Sequence, residues 1–253
     1  MRDNLIIILV LLGHIIGDFY AQTNNMAKSK KNRFKTLLFH GVVYALCMWT
    51  ALGVGVPLSR ELILVAALLG ITHFLIDLLK YLFWPAIKDK TKPEDLRKAE
   101  GHVFIIDQCV HILSIAAVLW LWGPQLASKP FVSQQFPQSP VPTLTLLFGF
   151  LCVLKPVGML FERGGILEPF KQKPTDAEDS DDNNAGKIIG YLERTIVFFF
   201  LLYKQFTAIA FVLTAKSIAR FEMEKKKAEY YLIGTLFSVA SVFVISFLLG
   251  LFG

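Results

Sequence analysis

Cysteine is scarce in this chain. Its three cysteines, Cys47, Cys109 and Cys152, lie inside apolar runs, and none has CxxC spacing. That excludes a disulfide framework and a cysteine-built zinc site, and leaves the thiols as small apolar packing groups. Charge is scarce too: 18% of the residues are charged against 54% hydrophobic, with 22 Phe in 253 residues. A soluble domain of this length has no interior able to hide so much apolar surface, so the composition predicts a multi-pass α-helical membrane protein. No internal repeat occurs, and no Gly- or Pro-broken helix recurs in the two halves. The net charge of +6 does not point to nucleic acid, because the basic residues sit in short loops between apolar runs and act there as topology signals. An acidic residue precedes the first apolar run and no small-residue cleavage site follows it, so it reads as a permanent first helix rather than a leader.

The apolar segments number eight: Asn4–Tyr20, Thr36–Val56, Leu62–Trp84, Val103–Gly123, Leu144–Glu162, Ile188–Tyr203, Phe206–Phe221 and Tyr231–Phe252. The sixth and seventh are short, joined by Lys204-Gln205, and read as a tilted hairpin or a re-entrant pair. Lys28, Lys30, Lys31, Arg33 and Lys35 follow the first segment, and Lys88, Lys90, Lys92, Arg97 and Lys98 follow the third. Similar groups follow the fifth and seventh, while the alternate connections carry one basic residue each. This asymmetry predicts that the basic loops are cytosolic and that both termini lie on the other side of a bacterial cytoplasmic membrane. Composition divides the chain into four parts. Residues 1–123 form a four-helix membrane domain. Residues 124–174 hold an outer loop rich in Pro, Ser and Gln, a fifth helix and the start of an inner loop. Residues 175–187 are an acidic, solvated linker, and 188–253 a three-helix region.

The informative residues are the polar ones at membrane depth. In GITHFLIDLLK (70–80), His73 and Asp77 are four apart, as are His14 and Asp18 and, reversed, Asp107 and His111. Helical geometry stacks such pairs on one face. Ionisable groups inside a membrane need partners or a water-filled cavity, which makes them functional candidates. At about 1.5 Å per residue, these six and His40 all fall roughly 3–16 Å below the cytosolic boundary, although their helices alternate in direction. Four imidazoles and three carboxylates in one bundle match the ligand set of a divalent metal: zinc first, then iron or manganese. His14, His40, His73, His111, Asp77 and Asp107 are the candidate ligands. Asp18, Asp77 and Asp107 are the candidate bases beside a metal that activates water. Haem between two histidines explains neither the carboxylates nor the shared depth. Gln22 continues the His14–Asp18 stripe. Arg194 and Lys216, at the cytosolic ends of the sixth and seventh segments, suit a phosphate or lipid head group, with snorkelling as the plain alternative.

The segments HIIGDFYAQTNNMAKSK, LLFHGVVY, THFLIDLLK and FIIDQCVHILSI resemble a bacterial and phage membrane family, domain of unknown function thirty-three-oh-seven, over about Leu5 to Ser114. The tail beginning GKIIGYLERT is similar to an extension of some members. The resemblance implies that His14, Asp18, Gln22, Lys28, His40, His73, Asp77, Asp107 and His111 are the positions that matter. A looser similarity links the chain to membrane proteins described as metal-dependent hydrolases. The combined expectation is an all-α polytopic membrane protein whose His/Asp metal centre near the cytosolic face hydrolyses a lipid or lipid-linked phosphate, with Gln22, Lys28, Arg194 and Lys216 holding substrate. Two other classes use the same residues. An ion- or proton-coupled transporter would use the charges as a relay, against which stand the nearly charge-free outer halves of the helices. A non-catalytic effector or scaffold would need them only for packing.

Overall fold

The computed structural model describes residues 2–127, 139–163, 179–218 and 225–251, and among these there are helices and turns but no strand. The helices are α1 (Arg2–Ile15), α2 (Asn24–Ser29), α3 (Phe34–Gly55), α4 (Arg60–Lys90), α5 (Leu96–Ala127), α6 (Val141–Arg163), α7 (Asp179–Leu202), α8 (Phe206–Ile218) and α9 (Lys225–Leu248). A π-helical turn, Ile16–Tyr20, continues α1. The described part of each of the eight expected apolar segments is largely helical. Among the described residues, four helices are long and apolar enough to cross a membrane: α3, α4, α5 and the stretch Val141–Glu162 of α6. The apolar stretches Asn4–Tyr20, Phe206–Ile218 and Leu232–Leu248 are shorter. At about 1.5 Å per residue α8 covers only about 20 Å of the roughly 30 Å hydrocarbon layer. Much of the Pro-rich loop, residues 164–178 and Arg220 lie outside the described residues. The last part of the acidic stretch, from Asp179, opens α7 as helix rather than linker.

The chain forms two compact units, residues 1–148 and 149–253. In the first, α1 packs on α3, α3 on α4, α4 on α5, and α5 back on α1, closing a four-helix ring. Each helix turns one stripe inward, and each stripe is half apolar and half polar. On α1 the order is Ile6, Val10, then His14; on α4 it is Leu62, Val65, Ala66, Leu69, then His73 and Asp77. The order reverses on α3, with His40 ahead of Tyr44, Met48 and Leu52, and on α5, with Asp107 and His111 ahead of Ile115, Val118 and Leu126. Because short connections reverse the chain at 56–59 and 91–95, the polar halves meet at one end and the apolar halves seal the other. The outward faces carry exposed Leu38, Val42 and Trp49 on α3, Ile71, Leu75 and Leu82 on α4, and Leu113 and Trp120 on α5. So much outward apolar surface suits lipid rather than water.

In the second unit α7 packs on α8 and α9, burying Val197, Phe198, Leu201, Ile209 and Val242. The α7–α8 reversal is a tight turn in which Lys204 takes a left-handed conformation, φ 56°. Its backbone is held by Lys204 N–H donating to the Leu201 carbonyl at 3.0 Å and Gln205 N–H to Phe200 at 2.8 Å.

Helices α3 and α4 meet where Gly70 faces Ala45: a Cβ on Gly70 would lie 2.8 Å from the Ala45 Cβ, and 3.4 Å from its Cα. Small residues let backbones approach this closely. Gly70→Val therefore lowers stability by about 1–3 kcal/mol through overpacking. Gly53→Ala on the exposed side of α3, where nothing lies within 4 Å, raises it by up to about 1 kcal/mol through helix propensity. Thermal unfolding in detergent checks the pair; equal shifts would remove the close approach.

Candidate metal centre

Seven ionisable side chains from the first unit are buried together: His14, His40, His73 and His111 are each no more than 2% exposed, and Asp18, Asp77 and Asp107 no more than 8%. Charged groups survive such burial only when paired, hydrogen-bonded or bound to a cation. The α4 pair follows helical spacing, with His73 Nε2 3.7 Å from Asp77 Oδ2. The α5 pair does likewise, with His111 Nδ1 3.9 Å from Asp107 Oδ1. The α1 pair does not. Asp18 lies in the π turn, closed by Ala21 N–H donating to the Ile16 carbonyl at 2.7 Å, and the wider turn rotates it away from the α-helical position. His14 bonds the Tyr44 hydroxyl at 3.1 Å, while Asp18 turns to His40, Lys30 and Gln108.

Four ligand atoms converge at the centre. His40 Nε2 lies 3.2 Å from His73 Nε2, 3.3 Å from Asp18 Oδ1 and 3.4 Å from Asp77 Oδ2. His73 Nε2 lies 4.0 Å from Asp18 Oδ1 and 3.7 Å from Asp77 Oδ2. A tetrahedral ion with bonds of about 2.0–2.2 Å has ligand–ligand edges of roughly 3.3–3.6 Å. The five separations here run from just below that range to slightly beyond it, so a tetrahedral divalent ion fits once the side chains shift. The donor set of two imidazoles and two carboxylates suits zinc, iron and manganese. Tyr44 holds the cage from behind, its ring stacked on His73 at 3.5 Å between centroids, its hydroxyl fixing His14.

A second group adjoins the first. Asp77, Asp107 and His111 offer ligand atoms that all lie within 4.8 Å of one another, as do those of Asp18, His40 and His73. His14 is in neither triad, whereas Asp18, expected as a base, is in one. Gln108 ties the groups together, its amide donating to Asp18 Oδ2 at 2.9 Å and to Asp107 Oδ2 at 3.4 Å.

Two lysines supply positive charge. Lys30 Nζ donates to Asp77 Oδ2 at 2.8 Å and lies 3.8 Å from Asp18 Oδ1; Lys80 Nζ meets Asp107 Oδ2 at 2.6 Å. Burial acts to lower the Lys30 pKa, but Asp77 and Asp18 outweigh it and raise it above the ordinary lysine value. The stability this ammonium contributes is complete below that ordinary value of 10.5 and is lost as pH rises through the higher folded value. Lys31, next along, turns outward to Glu100 at 3.1 Å and the Trp84 ring, pinning the loop over the site.

Of the expected substrate residues, Gln22 and Lys28 lie in the first unit and Arg194 and Lys216 in the second. Lys28 is exposed on α2; Lys30, two residues on, is the one that enters. Gln22 is half-buried, with its Oε1 enclosed and lacking a hydrogen-bond partner. Arg194 and Lys216 belong to the second unit. There Arg194 donates to the Leu154 carbonyl at 3.1 Å and lies over the Tyr191 ring, and Lys216 pairs with Glu193. Gly158 and Gly190 leave the space for that guanidinium. Among the residues that sequence reasoning passed over, Gln108 has no periodic signal at all, and Lys30 was one of several loop cations.

The profile of a family described as "Protein of unknown function (DUF3307)" matches residues 6–136, a span that contains all seven polar residues and both lysines. No curated protein and no solved structure matches the chain.

Lys30→Met leaves two buried carboxylates short of a counter-charge. In chelator-treated protein it lowers stability by about 3–5 kcal/mol, the cost of breaking a buried pair. A saturating divalent metal restores most of the loss. Thermal unfolding with and without metal checks both halves; an equal loss in each condition would separate Lys30 from the ion.

Proposed function

The chain belongs to the DUF3307 family, and we propose that it is a metal-dependent membrane hydrolase acting on a lipid-linked phosphate from the cytosolic side. The observation that carries this reading is the cluster of His40 Nε2, His73 Nε2, Asp18 Oδ1 and Asp77 Oδ2, in which each imidazole nitrogen lies 3.2–4.0 Å from the other and from both carboxylate oxygens. A divalent ion bound there, zinc first, supplies a Lewis acid and a means of activating water near neutral pH. The carboxylates of Asp18, Asp77 and Asp107 share ligation and proton acceptance, and Gln108 fixes two of them. Tyr44 keeps His14 and His73 in place.

Charge indicates the substrate class. Three carboxylates and two ammoniums with neutral imidazoles sum to −1, and one divalent ion brings the pocket to +1. Such a pocket attracts an anion, and Lys30 and Lys80 stand beside it to hold a phosphoryl group. Arg194 and Lys216 have no part in this reading, since each has a partner within its own unit.

The topology belongs to the same proposal: eight spans, both termini outside the cytosol, in a bacterial cytoplasmic membrane. The basic loops 28–35 and 88–98 join the polar ends of α1, α3, α4 and α5, which supports a cytosolic opening. The other half of the ring is filled by Met48, Leu52, Val65, Leu69 and Ile115, which favours a one-sided site over a transport path.

Elemental analysis of purified protein is the test. Zinc, iron or manganese is expected near one or more equivalents per chain, falling severalfold in His73→Ala. Release of phosphate from lipid phosphates in mixed micelles is expected to follow metal content, and to fall at least about a hundredfold in Asp18→Asn, the scale of a lost acid–base group. Protein that is metal-free as isolated and cannot be loaded would end the proposal.

A further inference from the structure

The cage around His40 and His73 already offers four ligand atoms, the full complement of a tetrahedral ion. Asp107 and His111 are left over, and their arrangement calls for its own explanation. His111 Nδ1 lies 2.8 Å from the Asp107 main-chain carbonyl, which accepts and cannot donate. Nδ1 therefore carries the proton, and in the neutral ring Nε2 presents a lone pair. That Nε2 is buried without a hydrogen-bond partner, on a side chain 1% exposed. This is the tautomer of a metal-ligating histidine, held from behind by a carbonyl. Its ring lies 4.3 Å from the His73 ring, so the imidazole borders the cage.

Asp77 connects the two groups. Its Oδ2 faces His40 and His73, and it also offers a ligand atom to the triad with Asp107 and His111. A carboxylate has two oxygens with lone pairs enough to serve two cations at once. Each group also has its own ammonium, Lys30 on Asp77 and Asp18, Lys80 on Asp107. The protein thus brings positive charge to two separate places rather than one.

We propose that the centre is dinuclear: one divalent cation bound by His40, His73 and Asp18, a second by His111 and Asp107, with Asp77 shared between them. This rests on the metal reading above and deepens it. Paired ions in helical bundles are bridged by inward-facing carboxylates in this manner, and two-metal sites hold the ions about 3.5–4 Å apart. The second ion adds two positive charges to a pocket already lined by lysines. That strengthens the demand for an anion and suits a phosphoryl group spanning both ions.

The test counts ions in the full-length chain in detergent, stripped with chelator and titrated with Mn²⁺ alone. Two equivalents per chain are expected, with a paramagnetic resonance spectrum showing two spin-coupled manganese ions. His111→Ala and the near-isosteric Asp107→Asn should each reduce the count to one and abolish the coupling, leaving the His40–His73 ion in place. The unmodified protein alone decides the matter if either variant misfolds. One equivalent with an uncoupled spectrum overturns the pair and leaves the mononuclear reading standing. No binding at all overturns both, so the two failures are distinct.

Discussion

Three carboxylates inside an apolar bundle are the constraint on which the first unit depends. Asp18, Asp77 and Asp107 are almost fully enclosed, and an unpaired charge there would cost more than most single contacts in a protein supply. Every feature around them answers that cost. The imidazoles of His40 and His73 face two of the carboxylates, Lys30 pairs with Asp77 and Lys80 with Asp107, and Gln108 donates to the second oxygen of Asp18. Holding all of these at one level requires four helices whose polar ends coincide. It also requires a loop after α1 that doubles back far enough to carry Lys30 inward. The short helix α2, capped by Thr23 accepting from Met26 N–H at 3.2 Å, provides that return.

Much of this arrangement was legible because helical periodicity is a local property. Residues at 107, 111, 115 and 118, or at 62, 66, 69, 73 and 77, must share a face wherever the helix sits. Short loops between them force alternating direction, so the common layer of His40, His73, Asp77, Asp107 and His111 follows from sequence. What escaped depends on departures from the regular helix. The π turn at Ile16–Tyr20 breaks the four-residue rule for His14 and Asp18 and sends them to different neighbours. Lys30 and Lys28 look equivalent in a basic loop, and only the path after α2 sends one inward and leaves the other exposed. Gln108 sits about 100° round the helix from Asp107, off the stripe, and reaches Asp18 from the flank.

The second unit obeys the same rule with simpler means. Glu193 and Arg194 are adjacent, both nearly buried, and point to different neighbours as a helix demands. Glu193 finds Lys216 across the α7–α8 hairpin, and Arg194 finds the Leu154 carbonyl and the Tyr191 ring. The pairing across 23 residues depends on the tight turn at Lys204, which sets the two helices side by side. A cationic cluster at the ends of two helices reads in sequence as a head-group site. In the fold its charges are already engaged within the unit, and that difference comes from tertiary pairing that no periodicity encodes.

The lysines also bear on the order of events. Structural zinc domains commonly need the ion in order to fold, because their ligands have no other partners. Here Lys30 and Lys80 already oppose the carboxylates, so the bundle holds its site in shape before any ion enters. That preorganisation has a counterpart in affinity. A cation binding at Asp77 Oδ2 must take over a contact that Lys30 makes at 2.8 Å, and its binding free energy is reduced by what the ammonium loses. An ion that binds nitrogen and oxygen donors strongly would overcome that loss more readily than magnesium or calcium, which prefer oxygen alone. On the proposed metal reading, stability without an ion and competition against a weakly bound one would come from the same ammoniums.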